Sequence, residues 1–367
     1  MSTQGFWSNN PFAPTWRGAL QLQWESSGGG DANGLCVKGC GVNILFHDIS
    51  KEIRIHEAVQ EEAEELAEFL QKWYRNTPRA RCVVRAEWIR GCVAGKQSAD
   101  YSAQKPWNHC LLARCARTHK LIGSIVQWNA GWLRMRDGTH WAGARCIDYL
   151  CVAGGWRSRG VARELLYAIH ACAAQDAAAA GREFPPHLFC LEQTQLKIPP
   201  LSWTRMVCRA SKPFAISEKK GIVLKHSSET AEIVWRAAAL AGRICSMSPG
   251  WATGEAQGAS TSVVQWNTDL FFLITDTFHI TVPDGRKILT LDSIPRPPSA
   301  EELEEAVDSG LGLALDLAQR HESFLVLCSA DWPRMHTDWK SDASVQWIVY
   351  NLQTGLIPDT RPPLLLL

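Results

Sequence analysis

The chain has 367 residues, with 46% hydrophobic and 20% charged side chains and a formal net charge of +1. This length allows one large domain or two ordinary ones with complete cores, and the composition excludes an intrinsically disordered chain. The balance of charge excludes a broad electrostatic surface for nucleic acid.

The sequence contains 17 tryptophans and 13 cysteines. The tryptophans indicate heavy use of aromatic side chains in the core. We find neither a secretory signal nor an apolar stretch of the roughly 18 to 20 residues that a membrane span needs. We therefore expect a cytoplasmic protein with reduced thiols and no membrane span. We also expect it to be a monomer.

Strands and helices alternate in the first half, after an irregular arm predicted over residues 1–50. The helical spacing of Leu66, Phe69, Leu70 and Trp73 predicts a helix over 59–75. Further helices are predicted over 161–180 and 229–245. The strands predicted for this half are 110–116, 120–128, 145–152, 187–192 and 203–208.

The second half repeats this order. A turn at Pro283-Asp284-Gly285 separates the strands predicted over 269–275 and 287–292. A helix over 300–320 follows, and strands over 323–329 and 344–351 end the pattern. The order predicts a mixed α/β fold with two related halves, which we place at 51–215 and 216–367.

Two apparent motifs fail on spacing. Residues 91–98 imitate a phosphate-binding loop, but one residue is missing between the glycines and Gln97 replaces the metal-binding hydroxyl. Cys36, Cys40 and His47 lack the second close pair that a zinc site requires. We predict no bound metal and no permanent cofactor.

The most informative segment is 148–162, where an apolar strand ends at Val152 and a helix begins after Gly160. The first amides of a helix have no internal partners and lie at the positive end of its dipole, so they can bind an anion. Arg157 and Arg159 add positive charge there. An ordinary strand–turn–helix with exposed arginines explains the same pattern.

This segment resembles the coenzyme A pyrophosphate loop of the GCN5-related N-acyltransferases, and more specifically that of the N-myristoyltransferase family. Tyr149-Leu150-Cys151-Val152 and Arg157-Ser158-Arg159 follow the order and spacing of that family's signature. Other similar segments are collinear with the family: Phe6-Trp7, His109-Cys110, Lys120-Leu121-Ile122-Gly123 and 345–351. The resemblance implies two GCN5-like halves, each a mixed sheet flanked by helices.

The resemblance also implies an activity, namely transfer of a myristoyl group from myristoyl-CoA to the N-terminal glycine of a peptide or protein. It assigns the oxyanion hole to the backbone amides of Tyr149 and Leu150. It assigns the general base to the C-terminal carboxylate, here that of Leu367. The implied coenzyme-binding residues are Phe6, Trp7, Leu150, Cys151, Val152, Arg157, Ser158, Arg159, Gly160, Val161 and Ala162, and the implied peptide-binding residues are Arg205, Cys208, Trp347 and Tyr350.

Two other functions stay open. Gly160 and Arg163 replace a basic residue and a proline of the family loop, which favours a shorter donor such as acetyl-CoA and a different amine acceptor. Met206-Val207-Cys208 replaces the Tyr-Trp-His triplet of the family's peptide groove. That change favours a binding module that retains the fold without the peptide chemistry.

Overall fold

The fold is built around one mixed β-sheet, seen in a computed structural model. The structure describes residues 52–74, 81–94, 107–134, 140–182, 185–192, 202–211, 220–243, 245–247, 261–282, 284–310, 324–329, 332, 337–350 and 364–366. Within them the strands are β1 Ile53–Glu57, β2 Arg81–Cys82, β3 Trp107–Cys115, β4 Leu121–Arg134, β5 His140–Val152, β6 His187–Glu192, β7 Ser202–Ser211, β8 Ile222–Leu224, β9 Cys245–Met247, β10 Thr261–Gln265, β11 Phe271–Thr281, β12 Lys287–Ile294, β13 Phe324–Ser329, β14 Lys340–Tyr350 and β15 Leu364–Leu366.

Helices flank this sheet. They are α1 Ala63–Trp73, α2 Ala86–Val93, α3 Val161–Ala179, α4 Ser228–Leu240 and α5 Ala300–Glu305. A 3₁₀ turn at Gln60–Glu62 precedes α1, and a π-helical turn at Ala306–Gly310 follows α5. None of the described helices combines the length and the apolar character that crossing a bilayer requires.

The order of strands in the sheet repeats itself around its centre. The sheet reads β1-β3-β4-β5-β6-β14-β7-β13-β12-β11-β10-β8. In the first half β3, β4 and β5 are antiparallel and β6 is parallel to β5; in the second half β10, β11 and β12 are antiparallel and β13 is parallel to β12. The two related halves expected from the sequence are thus confirmed as one pattern used twice.

The halves also exchange strands. The strand β14 pairs with β6 of the first half, while β7 pairs with β13 of the second, and β14 and β7 pair with each other at the centre. The boundary predicted at residue 215 stays a prediction. The sheet itself is continuous from the strands of the first half to those of the second.

Alternating side chains give the first half two apolar faces. On one face Ile125, Ile147 and Phe189 pack beneath α3. On the other face Val126 and Leu188 pack beneath α1 and α2. Strands β4, β5 and β6 are therefore covered on both sides.

The helix bounds differ from the prediction in the second half. Residues 229–245 were expected to be helical throughout, but α4 ends at Leu240 because Gly242 adopts a left-handed φ of 61° and Cys245–Met247 enters the sheet. The helix expected over 300–320 is described as far as Gly310. Residues 91–93 of the rejected phosphate-loop pattern belong to α2, and residues 95–98 lie outside the described residues.

Candidate functional site

A bulge interrupts β5 where it faces β4. Cys151 lies opposite Ser124 and Asp148 lies opposite Val126, so Tyr149 and Leu150 together face Ile125. Tyr149 has φ 49°, in the left-handed region that side chains other than glycine rarely occupy. Such strained bulges re-aim backbone groups and are concentrated at functional sites.

Short hydrogen bonds fix this bulge. The Ser124 hydroxyl donates to the Tyr149 carbonyl at 3.1 Å. The carboxylate of Asp148 accepts from the backbone N–H of Tyr149 at 2.7 Å and from the Tyr74 hydroxyl at 2.7 Å through the same oxygen. Asp148 therefore ties the start of the bulge to the end of α1.

The Tyr149 side chain adds packing contacts to these hydrogen bonds. Its ring is buried, with its centroid 5.1 Å from that of Tyr74 and 6.0 Å from that of Trp88. Burial, reinforced by the nearby Asp148 carboxylate, raises the pKa of the Tyr149 phenol well above its usual value. The phenol is consequently neutral, and the residue acts through its backbone and its packing.

The sheet opens beside the bulge. The parallel ladder between β5 and β6 runs only from Arg145–His187 to Ile147–Phe189 and ends before Asp148. Beyond that point β6 continues on β14, where Trp347 lies opposite Cys190. A crevice at the carboxyl ends of two parallel strands is a common ligand site in α/β proteins.

The anion loop predicted from the sequence lies next to this opening. After Val152 the chain forms a 3₁₀ turn at Gly154–Trp156, and α3 begins after Gly160. Gly160 has φ 86°, a left-handed conformation that glycine adopts without strain. The free amides at the start of α3 thus follow the bulge directly.

The charged residues of the loop are placed near the start of α3. Arg157 is exposed and donates through Nε to the Val152 carbonyl at 3.2 Å, while the Arg159 guanidinium stacks 5.1 Å from the Trp156 ring. Within the described chain neither arginine is paired with a carboxylate. The acidic residue of the first helical turn, Glu164, is itself paired with Arg163 at 2.9 Å.

Packing beneath the loop explains two further sequence features. A Cβ on Gly123 would lie 2.9 Å from a methyl carbon of Val161, so this glycine allows α3 to approach β4. Burial raises the pKa of the Cys151 thiol to about 12, which keeps the thiol protonated at neutral pH. Cys151 is therefore a buried residue of β5 and not a nucleophile.

The other predicted site residues fall into three groups. Leu150, Val152 and Ala162 are half-buried around the loop, and Ser158 adopts φ 63° within it. Arg205 and Cys208 lie on β7, and Trp347 and Tyr350 lie on β14. Phe6, Trp7 and Leu367 lie outside the described residues.

The last described strand joins the sheet at the end of β4 that lies away from the bulge. β15 is parallel to β9, with Leu366 opposite Met247, and β9 is antiparallel to β4, with Met247 opposite Trp132. β15 thus runs antiparallel to β4, in the direction from Arg134 toward Ile125. Its direction leads toward the end of β4 that faces the bulge.

Sequence reasoning missed the residues that shape the bulge, namely Asp148, Ser124 and Tyr74. An acidic residue inside the apolar strand 145–152 was the available signal for Asp148. Tyr74 carries no local signal, because it contacts Asp148 across a separation of 74 residues.

The fold is similar to that of known acyltransferases. No family model matches the sequence, and no curated protein matches it. A Saccharomyces cerevisiae N-myristoyltransferase structure with bound myristoyl-CoA aligns with a TM-score of 0.52 and 14% identity, covering 82% of this chain and 79% of that chain. A second structure of that enzyme, with bound myristoyl-CoA and inhibitors, aligns with a TM-score of 0.56 and 14% identity, covering 85% and 83%.

The predicted architecture is therefore confirmed as that of an N-myristoyltransferase fold. More particularly, the chain spans most of the length of these yeast structures, so both related halves take part in the likeness.

Proposed function

We propose that the protein transfers a myristoyl group from myristoyl-CoA to the N-terminal glycine amine of a peptide or protein. The observation that carries this proposal is the strained bulge at Tyr149, which lies where β5 and β6 part and directly precedes an anion loop. An acyl thioester linked to a diphosphate needs these two features next to each other.

The coenzyme is held by its phosphates in this account. The first amides of α3, together with Arg157 and Arg159, receive the pyrophosphate, and Gly160 lets it approach the backbone. The thioester then lies along the opening beside Leu150 and Cys151. The acyl chain continues into the apolar interior of the first half, with Phe6 and Trp7 on the coenzyme side.

The thioester carbonyl is polarised by a backbone N–H of the bulge. The Tyr149 N–H is already engaged by Asp148, so we assign the donor role to Leu150 and the shaping of the bulge to Tyr149. The acceptor amine attacks the carbonyl carbon, the negative charge forms on the oxygen, and coenzyme A leaves as its thiolate. The amide bond forms as the thioester bond breaks.

The amine must lose a proton before or during attack. We assign that proton to the carboxylate of Leu367, the general base that the family resemblance implies; β15, which precedes it, runs antiparallel to β4 in the direction of Ile125. A carboxylate beside an amine that has been desolvated in an apolar site can serve as a general base. Trp347 lies on the strand next to the opening, and together with Arg205, Cys208 and Tyr350 it is assigned to the peptide.

We also propose that the protein works as a cytoplasmic monomer. In support, the described cysteines Cys110, Cys115, Cys151, Cys172 and Cys328 carry free thiols. Free thiols are typical of a reducing compartment.

The direct test offers the full chain myristoyl-CoA with a peptide that begins with glycine and, as the control, the same peptide beginning with alanine. We expect release of coenzyme A and a myristoylated product only with the glycine peptide. Binding of myristoyl-CoA without turnover of either peptide would support the non-catalytic alternative instead.

A second candidate is transfer of a shorter acyl group. The specific observation in its favour is Gly160, because glycine in this position is the form that resembles the acetyl-CoA loop. Equal turnover of acetyl-CoA and myristoyl-CoA, or transfer of acetyl to amines other than glycine, would favour this candidate.

A further inference from the structure

Four side chains of the types that bind metals lie close together away from the bulge, where the edge of the sheet contacts α3. Glu57 ends β1, His109 lies on β3, and Cys172 and Asp176 lie one turn apart on α3. The pairing of β1 with β3, in which Glu57 lies opposite Leu111, brings Glu57 beside His109. The spacing of four residues puts Cys172 and Asp176 on one helix face.

The donor atoms are close together. One ligand atom each from Glu57, His109 and Cys172 lies within 4.8 Å of the other two. His109 Nδ1 is 3.0 Å from a Glu57 oxygen, and His109 Nε2 is 2.9 Å from an Asp176 oxygen. The His109 side chain is only 14% exposed, whereas those of Glu57 and Asp176 are 53% and 45% exposed.

Against the sequence prediction of no bound metal, we propose that Glu57, His109 and Cys172 bind a zinc ion, with Asp176 as the hydrogen-bond partner that orients the histidine. A carboxylate oxygen, an imidazole nitrogen and a thiolate are the donor types that zinc prefers. Histidines that bind a metal nearly always donate their second ring N–H to a carboxylate or carbonyl, and Asp176 is placed to accept it.

The charges also fit. With the ion bound, Cys172 has given its proton to solvent and Nδ1 of His109 binds the metal through its lone pair. The Glu57 carboxylate and the Cys172 thiolate then bind the divalent cation, with the Asp176 carboxylate behind His109. A water completes the tetrahedron on the exposed side of Glu57. The half-exposed carboxylates leave a path by which the ion can enter.

Such a site would join the β1–β3 edge to α3, the helix whose first turn follows the anion loop. Its role would be structural, and it does not rest on the proposed acyl transfer. Failure of the acyl-transfer assay would leave it unaffected.

The test uses the full chain, freed of metal with a chelator and titrated with Co²⁺, which reports a thiolate ligand through a near-ultraviolet charge-transfer band. We expect one Co²⁺ per chain, the thiolate band, and displacement of Co²⁺ by Zn²⁺. Cys172→Ala should abolish the band, and Asp176→Asn should weaken Zn²⁺ binding about 10- to 100-fold.

Cys190→Ala is the matched control, because Cys190 is also half-buried but lies on the sheet face opposite the one that Phe189 presents to α3. This variant should bind Co²⁺ as the wild type does. Absence of the thiolate band in the folded wild type would overturn the proposal, and so would unchanged Zn²⁺ affinity in Cys172→Ala. Either result would leave His109 as an ion-paired cross-link between two carboxylates.

Discussion

Asp148 is the side chain on which the geometry of the bulge most directly depends. Its single carboxylate oxygen accepts from the Tyr149 N–H and from the Tyr74 hydroxyl, both at 2.7 Å. Hydrogen bonds to an ionised acceptor are short and strong, so this oxygen holds a strained backbone in place. In the proposed function, Asp148 is thus a positioning residue for the Leu150 N–H.

We expect Asp148→Ala to lower kcat by about tenfold or more, because a hydrogen bond to a charged group contributes about 1.5–3 kcal/mol. Its KM for acyl-CoA should change little, since the phosphate site proposed at the start of α3 does not include Asp148. Asp148→Asn retains an acceptor oxygen and should recover most of the rate. Steady-state kinetics of the three proteins test this, and an Ala variant with wild-type kcat would remove Asp148 from the account.

At the scale of elements, α3 is held on the sheet by more than apolar contacts. His170 on α3 and His187 on β6 are fully buried with their ring centroids 4.4 Å apart, and His187 is hydrogen-bonded to Gln127 on β4 at 2.9 Å. Burial lowers the pKa of His170 to about 3 and that of His187 well below its usual value. Both rings are therefore neutral in the folded protein at neutral pH.

These lowered pKa values predict destabilisation by acid. Between a pKa of about 3 in the folded state and about 6.5 in the unfolded state, the unfolded chain binds the proton that folded His170 does not. The free energy of unfolding thus falls as the pH drops below about 6.5, by up to about 1.4 kcal/mol per pH unit for this group.

Replacing His170 with Leu should make that pH dependence shallower. Urea unfolding at several pH values between 7.5 and 5 measures it, with His119→Asn as the control, because His119 is exposed and asparagine tolerates its left-handed φ of 57°. Parallel profiles for the wild type and His170→Leu would contradict the prediction.

The helices and strands also show what the sequence could and could not predict. Strands such as β5 and the helix α3 were predicted because their apolar pattern is long and local. The short strands β9 and β15 were missed, because Leu364–Leu366 is ordered by pairing with Cys245–Met247, far away in the chain. The strand–turn–helix at 148–162 could be predicted because it is contiguous, and its binding of an anion stays a prediction. The contact of Asp148 with Tyr74 depends on tertiary structure.

At the scale of the whole molecule, the exchange of β7 and β14 makes the two halves interdependent. Arg205 and Cys208 come from the first half of the chain but lie on a strand that pairs with β13 of the second. The chain end, carried by β15, returns through β9 to β4 of the first half. In the proposed function, the coenzyme side and the acceptor side are therefore assembled from both ends of the sequence.

This arrangement gives the chain terminus a testable role. One glycine added after Leu367 moves the carboxylate away from its assigned position, so we expect kcat to fall by about a hundredfold or more while acyl-CoA affinity is retained. Replacing Leu367 with Met keeps the terminal carboxylate in place and serves as the control. Full activity of the extended chain would show that another group takes the proton.

The most direct measurement is calorimetric titration of the full chain with myristoyl-CoA and with acetyl-CoA, repeated with Arg157→Ala. Burying a long acyl chain contributes about 0.8 kcal/mol per methylene group, so we expect myristoyl-CoA to bind at least about a hundredfold more tightly. Arg157→Ala should weaken both ligands by about tenfold, because both share the diphosphate. Equal affinity for the two thioesters, or no binding of either, would contradict a long-chain acyl-CoA site at the β5 bulge.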